Sequence, residues 1–297
     1  MNVSLNSDDF RFTGKGSFKI KEAATKIKDL YQNKDEYEEL LTQYRQEIDD
    51  LQSLMYAHNR FGLLLIFQAM DAAGKDGTIG HVITGVNPFG VNIHNFKKPS
   101  SLELEHDFMW RTSLRLPQRG TIGIFNRSYY EEVLVTKVHP EIIKNTQLLP
   151  HELTEDMDKL FKHRYKDIKA FEKYLRHNGI EVMKFFLNVS KEEQASRLIS
   201  RIEDASKNWK FEESDVNERD YWDDYMQAYE ETINQTSTKK SPWYIIPADD
   251  KKNMRLIVSQ LILEKLSSLS MHYPESSEER QKELKKLIDR INEQTKA

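Results

Sequence analysis

Gly62-Leu63-Leu64-Leu65-Ile66-Phe67 runs directly into Gln68-Ala69-Met70-Asp71-Ala72-Ala73-Gly74-Lys75-Asp76-Gly77-Thr78, and Ile79, Val82, Ile83 and Val86 follow. The first six residues are continuously apolar, as in a strand buried on both faces of a parallel sheet. The last four recur at helical spacing. A strand, a loop of small residues and a helix in this order aim backbone N–H groups and a helix N-terminus at phosphate oxygens. Ala73, Gly74, Lys75, Asp76, Gly77 and Thr78 are therefore candidate phosphate contacts, with Lys75 adding a mobile positive charge. The plainer alternative is that Gly74 and Gly77 only make a tight turn before a helix.

The loop departs from G-x-x-x-x-G-K-S/T at both ends. Ala69 holds the first Gly position, Asp76 stands where Ser or Thr ordinarily ligates magnesium, and Thr78 falls two places late. Asp71 is the expected replacement, since a carboxylate within the loop can carry a hard cation against phosphates.

Outward from the loop, Val91–Phe96, Thr121–Phe125, Val182–Val189 and Trp243–Ile246 read as further strands separated by helical patterns. Alternation of this kind predicts an α/β fold, a doubly wound parallel sheet of about five strands. Leu41, Tyr44, Ile48, Leu51 and Met55 mark one face of a helix before the first strand, and Met157, Phe161, Ile168, Phe171 and Leu175 mark another that closes at Asn178-Gly179. The division expected is residues 1–60 as an arm and helices on the core, 61–270 as the core with a lid at 190–222, and 271–297 as a helical tail. The first twenty or so residues read as a mobile arm. In the tail, Leu284, Leu287, Ile288 and Ile291 share one side, which favours a helix lying on the domain over one covered by a partner.

The second strand candidate ends in Asn126-Arg127-Ser128-Tyr129-Tyr130-Glu131. Asn126 suits hydrogen bonding, and Arg127 either stabilises charge on a transferred phosphoryl or pairs with a structural carboxylate. Ser128 reads as a helix cap. Glu131 either serves the site or complements a helix dipole. Between Ser190 and Trp222, Arg197, Arg201, Lys207 and Lys210 form a basic segment. Arg197 and Arg201 share a helix face and suit a polyanion grip on a closing lid; alternatively they belong to a solvated helix, paired with Glu193 and Asp204.

The 297 residues carry a net charge of -4, so any polyanion site has to be a local cluster, and no nucleic acid or membrane partner is expected. With no cysteine, disulfides and thiolate chemistry are excluded. No signal-peptide pattern or membrane-length apolar run is present, which makes the cytoplasm the expected compartment. The nine histidines lack zinc-ligand spacing.

FQAMDAAGKDGTI (67–79), NPFGVNIHNFKKPS (87–100), HDFMWR (106–111), GIFNRSYYEEVLVTKVHPE (123–141), KNWKF (207–211) and STKKSPWYIIPADDK (237–251) together resemble polyphosphate kinase family 2. The resemblance implies a P-loop kinase core similar to thymidylate kinases, with a lid over a polyphosphate channel. It further implies Mg²⁺-dependent, or alternatively Mn²⁺-dependent, phosphoryl transfer between polyphosphate and nucleotides. FNRS and SYYE look like the third class of the family, which uses nucleoside mono- and diphosphates. By that resemblance Asp71 holds metal and phosphate, Lys75 and Arg127 hold the transferred phosphoryl, and Arg197 and Arg201 grip polyphosphate. Arg111, Asn126, Arg127 and Glu131 would contact an adenine, or alternatively guanine, nucleotide. Tyr129-Tyr130 departs from relatives that carry His before the second aromatic, which touches the nucleotide pocket and not the reaction type. A homodimer or homotetramer is expected from the flanking helices. The competing readings are an ATP-dependent nucleotide kinase and a non-catalytic polyphosphate-binding protein.

Overall fold

The computed structural model describes residues 5–296. Its strands are β1 (Arg11–Phe12), β2 (Gly62–Gln68), β3 (Val91–Asn95), β4 (Ile122–Asn126), β5 (Ile180–Asn188) and β6 (Trp243–Pro247). Its longer helices are α1 (Lys34–His58), α2 (Lys75–Ile83), α3 (Met157–His177), α4 (Lys191–Glu203), α5 (Trp222–Thr236), α6 (Lys251–Ser267) and α7 (Glu278–Lys296).

Among the described residues one six-stranded sheet forms, in the order β1-β6-β5-β2-β4-β3. The all-apolar β2 takes the central place because only there is it covered on both faces; every residue of it is buried. It pairs in parallel with β4 and β5, Leu65 lying opposite Ile124 and Met183. Two helix groups cover the sheet, α1 and α2 with α6, and α3 with α5. The chain leaves β2 for β3 and β4 on one side and returns through β5 and β6 on the other. The carboxyl end of β2 is thus the topological switch point, where ligands of open α/β sheets bind.

Three expectations are corrected. The sheet is not purely parallel, because β1 adds an antiparallel edge, with Phe12 opposite Trp243. Nor is the arm loose. Asn234 accepts from the Phe18 amide (2.8 Å) and donates to its carbonyl (3.0 Å), and Asn188 donates to the carbonyls of Ala23 and Ala24, both at 3.1 Å. Asn253 binds the Leu30 amide in the same manner at 3.0 Å. Side-chain amides thereby supply the pairing that an irregular segment otherwise lacks. At the other end, α7 does not lie on the domain: every described side chain in it is exposed, including Leu284, Leu287, Ile288 and Ile291. No helix among the described residues is long and apolar enough to cross a membrane.

Candidate active site

Between β2 and α2 the loop turns on Ala72 and Gly74, whose φ angles of 59° and 105° lie in the left-handed region. A side chain at Gly74 would meet Met254 at 3.2 Å as well as being strained. The loop opens on a cavity of about 700 Å³ lined by Asp71–Gly77, Asn126 and Arg127, the end of β3, α4 and the start of α6. Eight Lys and Arg side chains line it against three carboxylates. In a chain of net charge -4 this is the local positive cluster that a polyanion requires.

Lys75 is buried and donates to the Ala69 and Met70 carbonyls at 2.7 and 3.3 Å, so its ammonium lies across the loop. Burial lowers its pKa, partly offset by Asp71. Arg127 also adopts a left-handed backbone, φ 63°, at the end of β4, and its guanidinium donates to Asp71 at 2.7 Å. Burial opposes ionisation of Asp71, but Lys75 and Arg127 outweigh it and hold the carboxyl below its ordinary value. Of the two readings of Arg127, the carboxylate pairing is the one seen, and its partner is the residue expected to hold metal. Asn126 donates to Asp76 at 2.7 Å, tying the strand end to the loop as a neutral side chain can.

A divalent cation fits these residues. Asp71 and Asp76 are hard oxygen donors on one cavity, and the described residues contain no group of three or more His, Cys, Asp or Glu that would enclose a metal alone. That sparse donor set is what a Mg²⁺-type ion uses when substrate phosphates complete its shell.

Several candidate residues occupy other places than expected. Arg197 lines the cavity, but its guanidinium is committed to the protein: it donates to the carbonyls of Ala73 (2.7 Å), Ala248 (2.6 Å) and Asp249 (2.9 Å), and pairs with Glu193. Together with Gln194, which donates to the Asp71 carbonyl at 3.0 Å, it clamps the phosphate loop. Arg201 lines the cavity and pairs with Asp215 at 3.3 Å, and not with Asp204. Thr78 is fully buried one turn into α2 and does not reach the cavity. Arg111 is buried too and does not line the cavity; it donates to the Lys97 carbonyl at 2.7 Å and so fixes the backbone of a cavity lysine. Glu131 does not line the cavity; burial raises its pKa against the pull of Arg127 and Lys75. Lys207 lines the cavity, whereas the side chain of Lys210 lies outside those described.

Sequence reasoning missed Lys97, Lys251 and Arg255 as cavity cations. The Nε of Arg255 is buried without a partner, and its NH1 donates to the Tyr37 hydroxyl at 3.2 Å. The available signals were the Lys97-Lys98 pair after β3 and the basic first turn of α6, but neither tells which way the side chains face.

A phosphate loop, an arginine at the neighbouring strand end and a basic roof from α4 and α6 define the site. The family described as Polyphosphate kinase 2 (PPK2) matches residues 31–274. The chain belongs to the polyphosphate kinase 2 family. It is 53% identical over 261 residues to the ADP-polyphosphate phosphotransferase of Rhodopseudomonas palustris, covering 88% of this chain and 89% of that protein. It is 41% identical to the AMP/ADP-polyphosphate phosphotransferase of Meiothermus ruber, covering 80% and 84%. The crystal structure of polyphosphate kinase 2 from Arthrobacter aurescens superposes with a TM-score of 0.83 at 35% identity, covering 94% of this chain and 95% of that one. The α/β P-loop kinase fold of this polyphosphate kinase 2 chain is therefore that of its family. The matched region stops short of α7.

Proposed function

We propose that this chain transfers phosphoryl groups reversibly between inorganic polyphosphate and adenine nucleotides, with both ADP and AMP as acceptors. The observation that carries the reading is the cavity itself, a phosphate loop roofed by an excess of cations, in a member of a polyphosphate kinase family. The ADP half draws on the relatives from R. palustris and M. ruber, the AMP half on the latter, with Asn126 and Glu131 in the positions that suggested it. An acceptor phosphate is already ionised, so the protein need supply position and charge neutralisation more than base catalysis.

In this reading Lys75 and Arg127 hold the transferred phosphoryl, and Lys97, Lys207, Lys251 and Arg255 steer the remaining chain. Asp71, with Asp76 beside it, holds Mg²⁺ or Mn²⁺, which when bound neutralises phosphate charge. Gln194 and Arg197 keep the loop in shape. The part of the 190–222 segment free to close is the stretch from Arg201 onward, since the first half of α4 is fastened to the loop. Acceptor nucleotides belong to the cytoplasm, and the enzyme with them. Assembly as a homodimer or homotetramer completes the reading, motivated by the uncovered apolar stripe of α7. A monomeric mass by light scattering would remove that part.

Purified protein given Mg²⁺ and long-chain polyphosphate is expected to make ADP and ATP from AMP, and ATP from ADP. Lys75→Ala should reduce turnover by about 10²–10³-fold in a folded protein, the range for losing one transition-state donor. No product from either acceptor overturns the reading. Product from ATP as donor, with polyphosphate ignored, assigns the chain to the ATP-dependent alternative.

A further inference from the structure

Along α3 the cations Lys159, Lys162, Lys166, Lys169, Lys173 and Arg176 follow one another at steps of three and four residues. At about 100° per residue they fall within an arc of roughly 100°. The buried residues Leu160, Phe161, Arg164, Tyr165, Ile168, Glu172 and Leu175 occupy the opposite side. Lys159, Lys162, Lys166 and Lys173 are exposed and the other two partly so. The row extends about 26 Å at 1.5 Å per residue. At its far end Lys169, Lys173 and Arg176 share a recess of about 380 Å³ with Lys239 and Lys240 from the loop before β6.

These charges are uncompensated. The ion pairs nearby are made by Arg164 with Glu132 and by Lys184 with Glu172; none of the track residues, nor Lys239 or Lys240, makes one among the described residues. The one carboxylate lining the recess, Glu172, is already spent: it accepts from Tyr129, Tyr130, Lys184 and Ser241 at 3.1, 2.7, 2.7 and 2.8 Å. Asp158, in the first turn, is the sole other acid at the border of the arc. Eight cations kept together without counter-charge repel one another, a cost that an anionic ligand would relieve.

Direction matters as well. Because β5 begins where α3 ends, Arg176 lies at the end of the sheet opposite the phosphate loop and Lys159 at the loop's end. The geometry points to a second binding site, an external track for an extended inorganic polyphosphate segment that the catalytic cavity cannot hold. A bare phosphate chain fits better than nucleic acid, since no Phe, Tyr or Trp stands within the arc to stack a base, and the one ring on its edge is the imidazole of His177. One polymer engaging cavity and track together would gain affinity through effective concentration, a gain that short chains cannot share. The inference rests on polyphosphate being the substrate.

The test uses the full chain and two variants, K162Q/K166Q/K169Q/K173Q on the helix and K239Q/K240Q on the loop, the second guarding against a folding defect in the first. Binding and steady-state rates are measured with polyphosphate of about 100 phosphates or more and with tripolyphosphate. Expected are a rise of about ten-fold in Kd and KM for the long polymer with the helix variant, and a smaller rise with the loop variant. The kcat, and KM for tripolyphosphate, stay within about two-fold. Equal effects on both lengths, or none on the long polymer, overturn the track. So does displacement of polyphosphate by single-stranded DNA at equal phosphate concentration. Should the protein turn over no polyphosphate at all, loss of long-polymer binding in the variants still supports the track, and absence of such binding in the unmodified chain overturns it.

Discussion

A guanidinium in a basic run looks the same in sequence whether it faces a substrate or a carbonyl, and Arg197 is the instance where this matters. Its donors are spent on Ala73, Ala248 and Asp249, which joins the phosphate loop to the turn before α6. Arg197→Lys keeps the charge but loses the planar fork. We expect it to lower Tm by several degrees, on the order of 5 °C, and to reduce kcat more than it raises KM for polyphosphate. A raised KM with unchanged Tm and kcat would return Arg197 to the role of a polyphosphate contact. Glu131 offers a pH test. Burial raises its carboxyl above the ordinary 4.5 against the attraction of Arg127 and Lys75, so the folded state favours the protonated form. The stabilising contribution is therefore fully present below about pH 4.5 and is lost as pH rises through the raised value. Glu131→Gln fixes a neutral side chain, so its Tm should exceed that of the unmodified protein near pH 7, with the gap closing towards pH 4.5. A gap independent of pH would show that this carboxylate is not destabilised by folding.

At the scale of elements, what was legible in the sequence was what neighbours in the chain determine. The loop from Gly62 to Thr78 could be read because its strand, turn and helix signals are contiguous, and β4 because its apolar run ends on Asn126-Arg127. The arm could not be, because its pins Asn188, Asn234 and Asn253 lie more than 160 residues away in the chain. β1 is two residues long, too short for any alternation to register. That Arg111 and Thr78 lie off the cavity lining was illegible for a related reason: a motif names the residue without saying which way its side chain turns. Asn234→Asp keeps the acceptor for the Phe18 amide but loses the donor to its carbonyl. The expected result is faster hydrogen exchange across residues 18–24 and a stability loss of about 1 kcal/mol, with turnover unchanged. Unchanged exchange there would mean that β1, Asn188 and Asn253 hold the arm without Asn234.

Over the whole molecule, charge is partitioned and not merely balanced. A net charge of -4 coexists with a cavity in which cations outnumber carboxylates by eight to three. The acidic remainder of the surface therefore repels a polyanion everywhere except at its positive regions, which directs encounter as well as binding. Such steering acts over distances comparable to the Debye length, about 10 Å at 0.1 M salt, and fades as ions are added. Contacts inside the enclosed loop, such as Arg127 to Asp71 at 2.7 Å, are screened far less. The two substrates should consequently part company with ionic strength. Between about 50 and about 300 mM KCl, kcat/KM for long-chain polyphosphate should fall by roughly ten-fold or more, while KM for the nucleotide and kcat at saturation change by less than about three-fold. Steady-state rates at fixed Mg²⁺ across that range provide the measurement. Parallel decline of both substrates would show that salt acts on the fold or the metal, and a flat polyphosphate response would mean that the cavity's cations act at contact alone.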